Sequence, residues 1–379
     1  MSSGGNAPEV SDIGSQGGIS SDERHPVRPL KGVDGAKYSA RRIAARVLFA
    51  SGAIAAYRRL ALWNRAIVLT YHRIMPREEG ESKAFEGIRV APGTFEHQMA
   101  YLRKHFHLLA LDDLLRHLRN RSPFPPNSCL VTFDDGWRDN YIHAYPALNR
   151  YEIPAVVFLT VGHIGTRKRF WQDRTFAILD GIREAAKRTP GLPLRYRNLP
   201  GGMKVEELVA WPERKFREEV RKQIHSLKKL PLSRIEPILN EIGATAGMTG
   251  GPTSDGDPFL SWEEIEEMHR GGIDFGSHGM SHDILTNITP DEVRKEALES
   301  RQIIEKRIQK SVYAFSYPNG DHDPAVKKCI GECGYEIAFG TSRGFTGAED
   351  DRFSVKRVNV NDDVTREIPM FLSSILGMI

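Results

Sequence analysis

The chain has 379 residues, a net charge of +4, and a composition 40% hydrophobic and 27% charged. That balance is ordinary for a soluble globular fold and allows one large α/β barrel or two average domains. The small basic surplus argues against a nucleic-acid surface, and no uncharged apolar run reaches the roughly 20 residues of a membrane span. The three cysteines, Cys129, Cys329 and Cys333, are too few and odd in number for a disulfide framework. A reducing compartment, the cytoplasm, is therefore expected. Cys329 and Cys333, four apart, are read as small buried side chains, with a thiolate metal pair as the alternative.

Residues 1–36 are rich in Gly and Ser, lack an apolar core and read as a disordered N-terminal segment without a signal peptide. Between 37 and 65, Arg41, Arg42, Arg46, Arg58, Arg59 and Arg65 surround Ile43, Val47, Leu48, Phe49, Ile54, Leu60 and Trp63. This predicts a basic amphipathic helical segment. Two readings of it stay open: a helix packed on the domain with solvated arginines, or a peripheral contact with an anionic membrane surface.

From Ala66 to Val360 strand-like and helix-like pieces alternate. Ala66–Tyr71, Leu108–Leu111, Cys129–Phe133 and Ala155–Thr160 are short apolar runs of strand length, with helices expected from Thr94, through Leu114–Leu118, and over Tyr141–Arg150. Later come a helix over Ser261–Arg270, a strand over Ile273–Ser277, a helix over Asp291–Gln309, and strands at Val312–Tyr317, Ile337–Gly340 and Val355–Val360. Such alternation predicts a parallel sheet or barrel with crossover helices. Between about 165 and 258 it is lost: Phe170–Ala185, Val205–Leu208 and Arg214–Leu227 look helical and charged, and Pro190–Gly202 and Ala244–Asp257 are rich in Gly and Pro. This reads as a helical insertion, either a lid or substrate-binding subdomain or a passive surface addition. Residues 361–379 are left as a C-terminal tail.

Two motifs sit at strand ends. Thr132-Phe133-Asp134-Asp135-Gly136 closes one apolar run, and His278-Gly279-Met280-Ser281-His282 follows another. Adjacent carboxylates at a strand end point in different directions, so one can bind a metal while the other faces a substrate. Two imidazoles four apart would share one face of a helix. The zinc-protease pattern needs a Glu after its first His, and Gly279 stands there. One carboxylate and two histidines make a divalent-metal set with a position open to water. The C-terminal strand ends of a barrel collect such motifs on one face.

These residues resemble the polysaccharide deacetylases (NodB-like domain, carbohydrate esterase family 4). Thr132–Gly136 is similar to their first motif, His278–His282 to their second, and Phe315-Ser316-Tyr317-Pro318-Asn319-Gly320 to the third motif of one branch. Tyr71-His72-Arg73-Ile74 also looks like that branch. The resemblance covers Ala66 to Val360 apart from the insertion. It implies a distorted (β/α) barrel of about seven strands with a helical insertion. It implies Asp134 as general base, Asp135, His278 and His282 as ligands of Zn2+ or another divalent transition metal, and the Tyr317 backbone N–H as an oxyanion donor. A bound metal can bring the pKa of its water to about 7. Ser316 stands where many members carry an Arg that steadies the base, and no late Leu-x-His supplies an acid near Arg357-Val358-Asn359-Val360. His72 and His322 are the remaining acid candidates.

The expected activity is hydrolytic removal of N-acetyl groups from a GlcNAc-containing polysaccharide or its precursor. The expected partner is an N-acetylated glycan and not nucleic acid. The alternatives are a carbohydrate-binding protein on the same barrel without turnover, motivated by Ser316 and the missing acid, and a hydrolase of small amides or esters.

Overall fold

The computed structural model describes residues 35–76, 87–188, 204–245 and 258–379. The expected segment 1–36 and both Gly/Pro-rich stretches of the insertion fall largely outside them. The chain enters through helices α1 (Gly35–Ala50) and α2 (Ala53–Ala61). The strands that follow are β1 (Arg65–Tyr71), β2 (Arg73–Ile74), β3 (Arg89–Val90), β4 (His107–Leu108), β5 (Ser128–Phe133), β6 (Ala155–Leu159), β7 (Asp274–Ser277), β8 (Ala314–Ser316), β9 (Ile337–Phe339), β10 (Thr346–Gly347) and β11 (Val358–Asn359).

The main sheet runs β10-β1-β5-β6-β7-β8-β9, a mostly parallel curled sheet of seven strands in which only β10 is antiparallel to its neighbour. β11 adds in parallel to the edge of β1 opposite β5, beyond β10 on the same edge, and Val355 bridges to Phe339 of β9. The segment Val355–Asn359 therefore spans from β9 to β1 and closes the barrel. The expected strand Val355–Val360 is thus split into a bridge and a two-residue ladder.

Strand parity sorts the core. Ala66, Val68, Leu130, Val156, Phe158, Ala314 and Phe339 form one buried cluster, the barrel interior. Ile67, Leu69, Cys129, Val131, Phe133 and Val157 form another, under the surrounding helices. Successive strand side chains face opposite sides, so both faces of these strands are apolar, as a covered parallel sheet requires. The crossover helices are α3 (Pro92–His105), α4 (Leu111–Arg119) and α5 (Tyr145–Arg150), the last entered through a π-turn at Asn140–Ala144. Leu111, where a strand was expected, instead opens α4, whose Leu114, Leu115 and Leu118 join the barrel-interior cluster.

The insertion carries α6 (Trp171–Arg188), α7 (Val205–Ala210), α8 (Glu213–Leu227) and α9 (Leu232–Thr245). It has its own small core around Trp171, Leu179, Phe216, Val220 and Leu239. The chain returns through α10 (Trp262–Arg270), α11 (Pro290–Ile308) and α12 (Pro324–Glu332), each started by a side-chain cap, Ser261, Thr289 and Asp323 respectively. Residues 361–379 are not a tail. They hold α13 (Asp362–Thr365) and α14 (Ile368–Ile375), and the apolar sequence of α14 buries Met370, Phe371, Leu372 and Ile375. The three cysteines are free and buried.

Candidate active site

β5 delivers the two carboxylates. Asp134 continues the inward phase of Leu130, and its N–H still donates to Tyr71 O at 3.0 Å. Asp135 then leaves the strand at φ 78°, followed by Gly136 at φ 79°. A Cβ on Gly136 would lie 3.0 Å from both Ile164 Cδ1 and Leu159 Cδ2. The left-handed pair rotates Asp135 away from Asp134, so the divergence comes from the turn and not from strand alternation. A non-glycine residue held there is a strained position of the kind that clusters at functional sites.

The two histidines lie on a loop after β7, not on a helix. Gly279 has φ 80° and His282 φ 64°, and the loop is pinned by Val161 N to Gly279 O at 3.0 Å and Gly162 N to Met280 O at 2.8 Å. Glu296 of α11 braces it from behind, accepting from Met280 N at 2.6 Å, Ser281 N at 3.0 Å and Ser281 Oγ at 2.7 Å. A Cβ on Gly279 would come within 2.8 Å of that carboxylate.

Asp135, His278 and His282 converge, with one ligand atom from each lying within 4.8 Å of the others. Asp135 Oδ1 is 3.6 Å from His278 Nε2 and 3.4 Å from His282 Nε2. His278 Nδ1 sits 2.7 Å from Ser316 O, which assigns the ring proton there and leaves Nε2 with its lone pair facing Asp135. Trp137 Nε1 donates to Asp135 Oδ2 at 2.8 Å. Asp135 Oδ1 is then buried with no hydrogen-bond partner. A buried, unsatisfied carboxylate oxygen between two imidazoles fits a divalent cation.

Electrostatics prepare the same groups. Burial opposes ionisation of Asp135, but the facing imidazoles of His282, His72 and His278 outweigh it and hold the carboxyl well below its usual range. Burial also opposes ionisation of Asp134, and there the Arg357 guanidinium and His278 prevail, leaving its pKa lowered. Burial pushes the His278 imidazole down to about 4, against the pull of Asp134 and Asp135. Both carboxylates are thus ionised and His278 neutral near pH 7, as base and ligands require.

Arg357 was not among the residues singled out from sequence as functional. It lies just before β11, is almost fully buried, and places two donors on Asp134, Nη1 to Oδ1 at 2.8 Å and Nη2 to Oδ2 at 2.7 Å. Its Nη2 also reaches Ser316 Oγ at 2.8 Å and its Nε donates to Gly340 O at 2.8 Å. The cation that pairs with Asp134 therefore comes from the closing segment of the barrel, and Ser316 is an accessory to it. The signal in the sequence was a pair of cations inside a strand-like run, Val355-Lys356-Arg357-Val358.

The Tyr317 backbone N–H is not an open oxyanion donor. It donates to Phe339 O at 3.0 Å, extending the β8–β9 ladder by one residue, so the expected role does not follow from this arrangement. The Tyr317 hydroxyl donates to Phe353 O at 3.0 Å. Of the acid candidates, His322 has both nitrogens engaged, Nδ1 with Gly320 O at 2.9 Å and Nε2 with Ser354 Oγ at 2.8 Å, and stacks on Tyr317. His72 lines the cleft beside Asp134 and Asp135, and its buried Nδ1 has no partner.

The cleft above these groups has a volume of about 1380 Å³. The barrel strand ends form its floor, and α6 and α8 of the insertion form a wall through Gln172, Asp173, Phe176, Arg221, His225 and neighbouring Lys228. Lys228 Nζ donates to Asn319 Oδ1 at 2.6 Å, Asn287 Nδ2 to Lys228 O at 2.7 Å, and Leu232 N to the Asp283 carboxylate at 3.2 Å. The insertion is thereby tied to the loops that carry Tyr317 and His282.

Residues 121–338 match the family described as polysaccharide deacetylase. Poly-beta-1,6-N-acetyl-D-glucosamine N-deacetylases of Staphylococcus aureus (strain MSSA476) and Staphylococcus epidermidis (strain ATCC 35984) are 32% and 30% identical over 111 and 112 residues. Each match covers 27% of this chain and 38% of the relative, so the chain spans well under half the length of these curated relatives. Among solved structures, the Streptococcus pyogenes deacetylase PplD in complex with acetate aligns with TM-score 0.52 at 17% identity, over 82% of this chain and 98% of that one. BC0361, a polysaccharide deacetylase from Bacillus cereus, aligns with TM-score 0.51 at 20% identity, over 83% of this chain and 69% of that one. At these identities the structural likeness concerns the fold, a NodB-like (β/α) barrel. The family match extends over more than half of the chain and takes in both the Asp134–Asp135 and the His278–His282 motifs; the chain belongs to the polysaccharide deacetylase family.

Proposed function

We propose that the protein is a divalent-metal-dependent hydrolase that removes N-acetyl groups from a GlcNAc-containing polysaccharide or its precursor. The observation that carries this reading is the convergence of Asp135, His278 and His282 beside an ionised, doubly hydrogen-bonded Asp134 on the floor of one cleft. The staphylococcal relatives, named for poly-beta-1,6-N-acetyl-D-glucosamine, support the substrate class. A cleft of about 1380 Å³ exceeds the roughly 300–1,000 Å³ of small-molecule pockets, which favours several sugar residues over a small amide.

Asp135, His278 and His282 would hold the metal, which supplies Lewis-acid polarisation of the acetyl carbonyl and lowers the pKa of water. The imidazole-rich set favours zinc, while cobalt, nickel or iron suit the same ligands. Asp134 accepts the proton of the attacking water, and Arg357 keeps that carboxylate ionised and fixed in orientation. Water oxygen bonds to the carbonyl carbon, the C–N bond breaks, and acetate and the sugar amine depart. The amine must be protonated as it leaves, and we assign that step to His72, which lines the cleft with Asp134 and Asp135.

The test is acetate release from β-1,6- and β-1,4-linked N-acetylglucosamine oligomers, compared with a panel of small amides and esters. Release from an oligomer that chelation abolishes, zinc restores and Asp134→Asn eliminates is the expected result. Undiminished release by Asp134→Asn overturns the mechanism, and hydrolysis confined to the small amides or esters overturns the substrate class. Metal and glycan binding with no release by the wild-type protein would identify a binding protein instead.

A further inference from the structure

We infer that α1 and α2 form a docking face for a lipid bilayer with anionic headgroups. Among the described residues eight large hydrophobic side chains are exposed, and six of them, Ile43, Val47, Phe49, Tyr57, Leu60 and Trp63, lie on or just after these two helices. Leu60 is 77% exposed, Trp63 64%, Ile43 63% and Val47 61%. Ile43 and Val47 are one turn apart on α1; Tyr57 and Leu60 share a face of α2, with Trp63 one turn further on. Each helix thus turns an apolar stripe to solvent, although its opposite face is already packed on the body.

The packing is accounted for by other residues. On α1, Ala45 is buried, and Arg42 and Arg46 both pair with Glu367 at the start of α14, Arg46 Nε at 2.9 Å from Glu367 Oε2. On α2, Ile54 and Arg58 are buried, with Arg58 Nε donating to Asn127 Oδ1 at 3.1 Å and its guanidinium over the Phe106 ring. The helices are held in place without their outward faces, which stay exposed among the described residues.

Charge selects the occupant. No Asp or Glu occurs between Gly35 and Tyr71, while Lys37 and six arginines do. Arg41, Arg59 and Arg65 are exposed. Apolar stripes whose own helices carry cations and no anion, with a tryptophan at the edge, match an anionic interface, where both terms add. None of the described helices is long and apolar enough to cross a membrane, so the contact is peripheral. It also has an orientation. Trp63 lies two residues before β1, and Arg58 holds the residue before β5, so α2 sits at the N-terminal end of strands whose C-terminal ends carry the site. Docking through α2 turns the cleft away from the bilayer, toward a glycan chain extending from it.

The inference does not depend on the catalytic reading and is tested separately. The full chain is sedimented with vesicles of phosphatidylcholine alone and of phosphatidylcholine mixed with phosphatidylglycerol. The expected result is binding to the mixed vesicles that weakens with salt. The double variant Leu60→Asp, Trp63→Asp is expected to bind at least about tenfold less, with unchanged melting temperature, since desolvated apolar area supplies the depth of the contact. The double variant Arg41→Glu, Arg59→Glu is expected to lose the preference for anionic vesicles. Equal sedimentation of wild type and the Leu60/Trp63 variant, or no sedimentation, overturns the inference. So does a dimer of the wild type in light scattering that the Leu60/Trp63 variant lacks, without vesicle binding, because the face would then meet a second copy.

Discussion

Arg357 and Asp134 stand 223 positions apart in the chain and meet as a bidentate pair, at 2.8 Å and 2.7 Å, inside the top of the barrel. The guanidinium lies over Phe158 and Phe339, so the pair is shielded from water by the same aromatic side chains that fill the barrel interior. Arg357→Met leaves a buried carboxylate without its cation, a change that costs about 3–5 kcal/mol in comparable buried pairs. The Asp134 pKa, now lowered, should rise, because burial acts unopposed by the guanidinium. The acid limb of kcat/KM should move to higher pH, and Arg357→Lys, which keeps the charge but not the fork, should move it less. A pH–rate profile in which the limb stays put in Arg357→Met would remove Arg357 from the role of steadying the base.

The metal set makes a prediction in binding rather than rate. Zinc at a hundredfold excess over its Kd should stabilise the wild-type protein by about 2.7 kcal/mol in thermal denaturation. His278→Ala and Asp135→Ala should lose that response, each by removing a ligand whose other contacts, Ser316 O and Trp137 Nε1, only orient it. His322→Ala should keep the zinc response, since both of its nitrogens are spent within the loop and on Ser354. A zinc-induced shift of equal size in Asp135→Ala would place the ion elsewhere.

His72 and His322 separate as acid candidates by a kinetic measurement. His72→Gln should lower kcat by roughly 10²–10⁴-fold while the zinc-induced shift in melting temperature is retained, the range for loss of a general acid. His322→Ala should instead lower the melting temperature through the lost Ser354 and Gly320 contacts and the stack on Tyr317, with kcat within about tenfold of wild type. The reverse pattern would exchange the two assignments.

The sequence carried the barrel and most of the site because both rest on local signals. Short runs ended just before Asp134 and His278, and their alternation with helix-like segments placed those residues after strands. The missing parts depend on which strands become neighbours. Arg357 faces Asp134 only because Val355 bridges to β9 while Val358 and Asn359 join β1, a closure that no local pattern encodes. The Tyr317 N–H is committed for the same reason, through the register of β8 on β9. The spacing of four left a helix and a loop both open for the histidine pair, and the left-handed turns at Gly279 and His282 decide for the loop. Leu111 and α14 were misjudged because a short apolar run does not distinguish a strand, a buried helix and a tail.

Asp173 couples the insertion to the site by charge. Burial raises its pKa to about 6, Arg73 and Arg169 pulling it down and Asp135 adding to the rise. For a carboxyl whose folded pKa lies above the unfolded value near 3.9, its contribution to stability is fully present below that unfolded pKa and is lost as pH rises through about 6. The ionised form is therefore a liability at neutral pH that Asp173→Asn removes. The variant should melt at a higher temperature than wild type at pH 8 and at nearly the same temperature at pH 4. Because Asp173 lines the insertion side of the cleft, KM for an oligosaccharide should change more than kcat if that wall binds sugar. Equal melting temperatures of variant and wild type at pH 8 would show that the carboxylate is solvated and carries no such strain, and an unchanged KM would return the insertion to a surface addition.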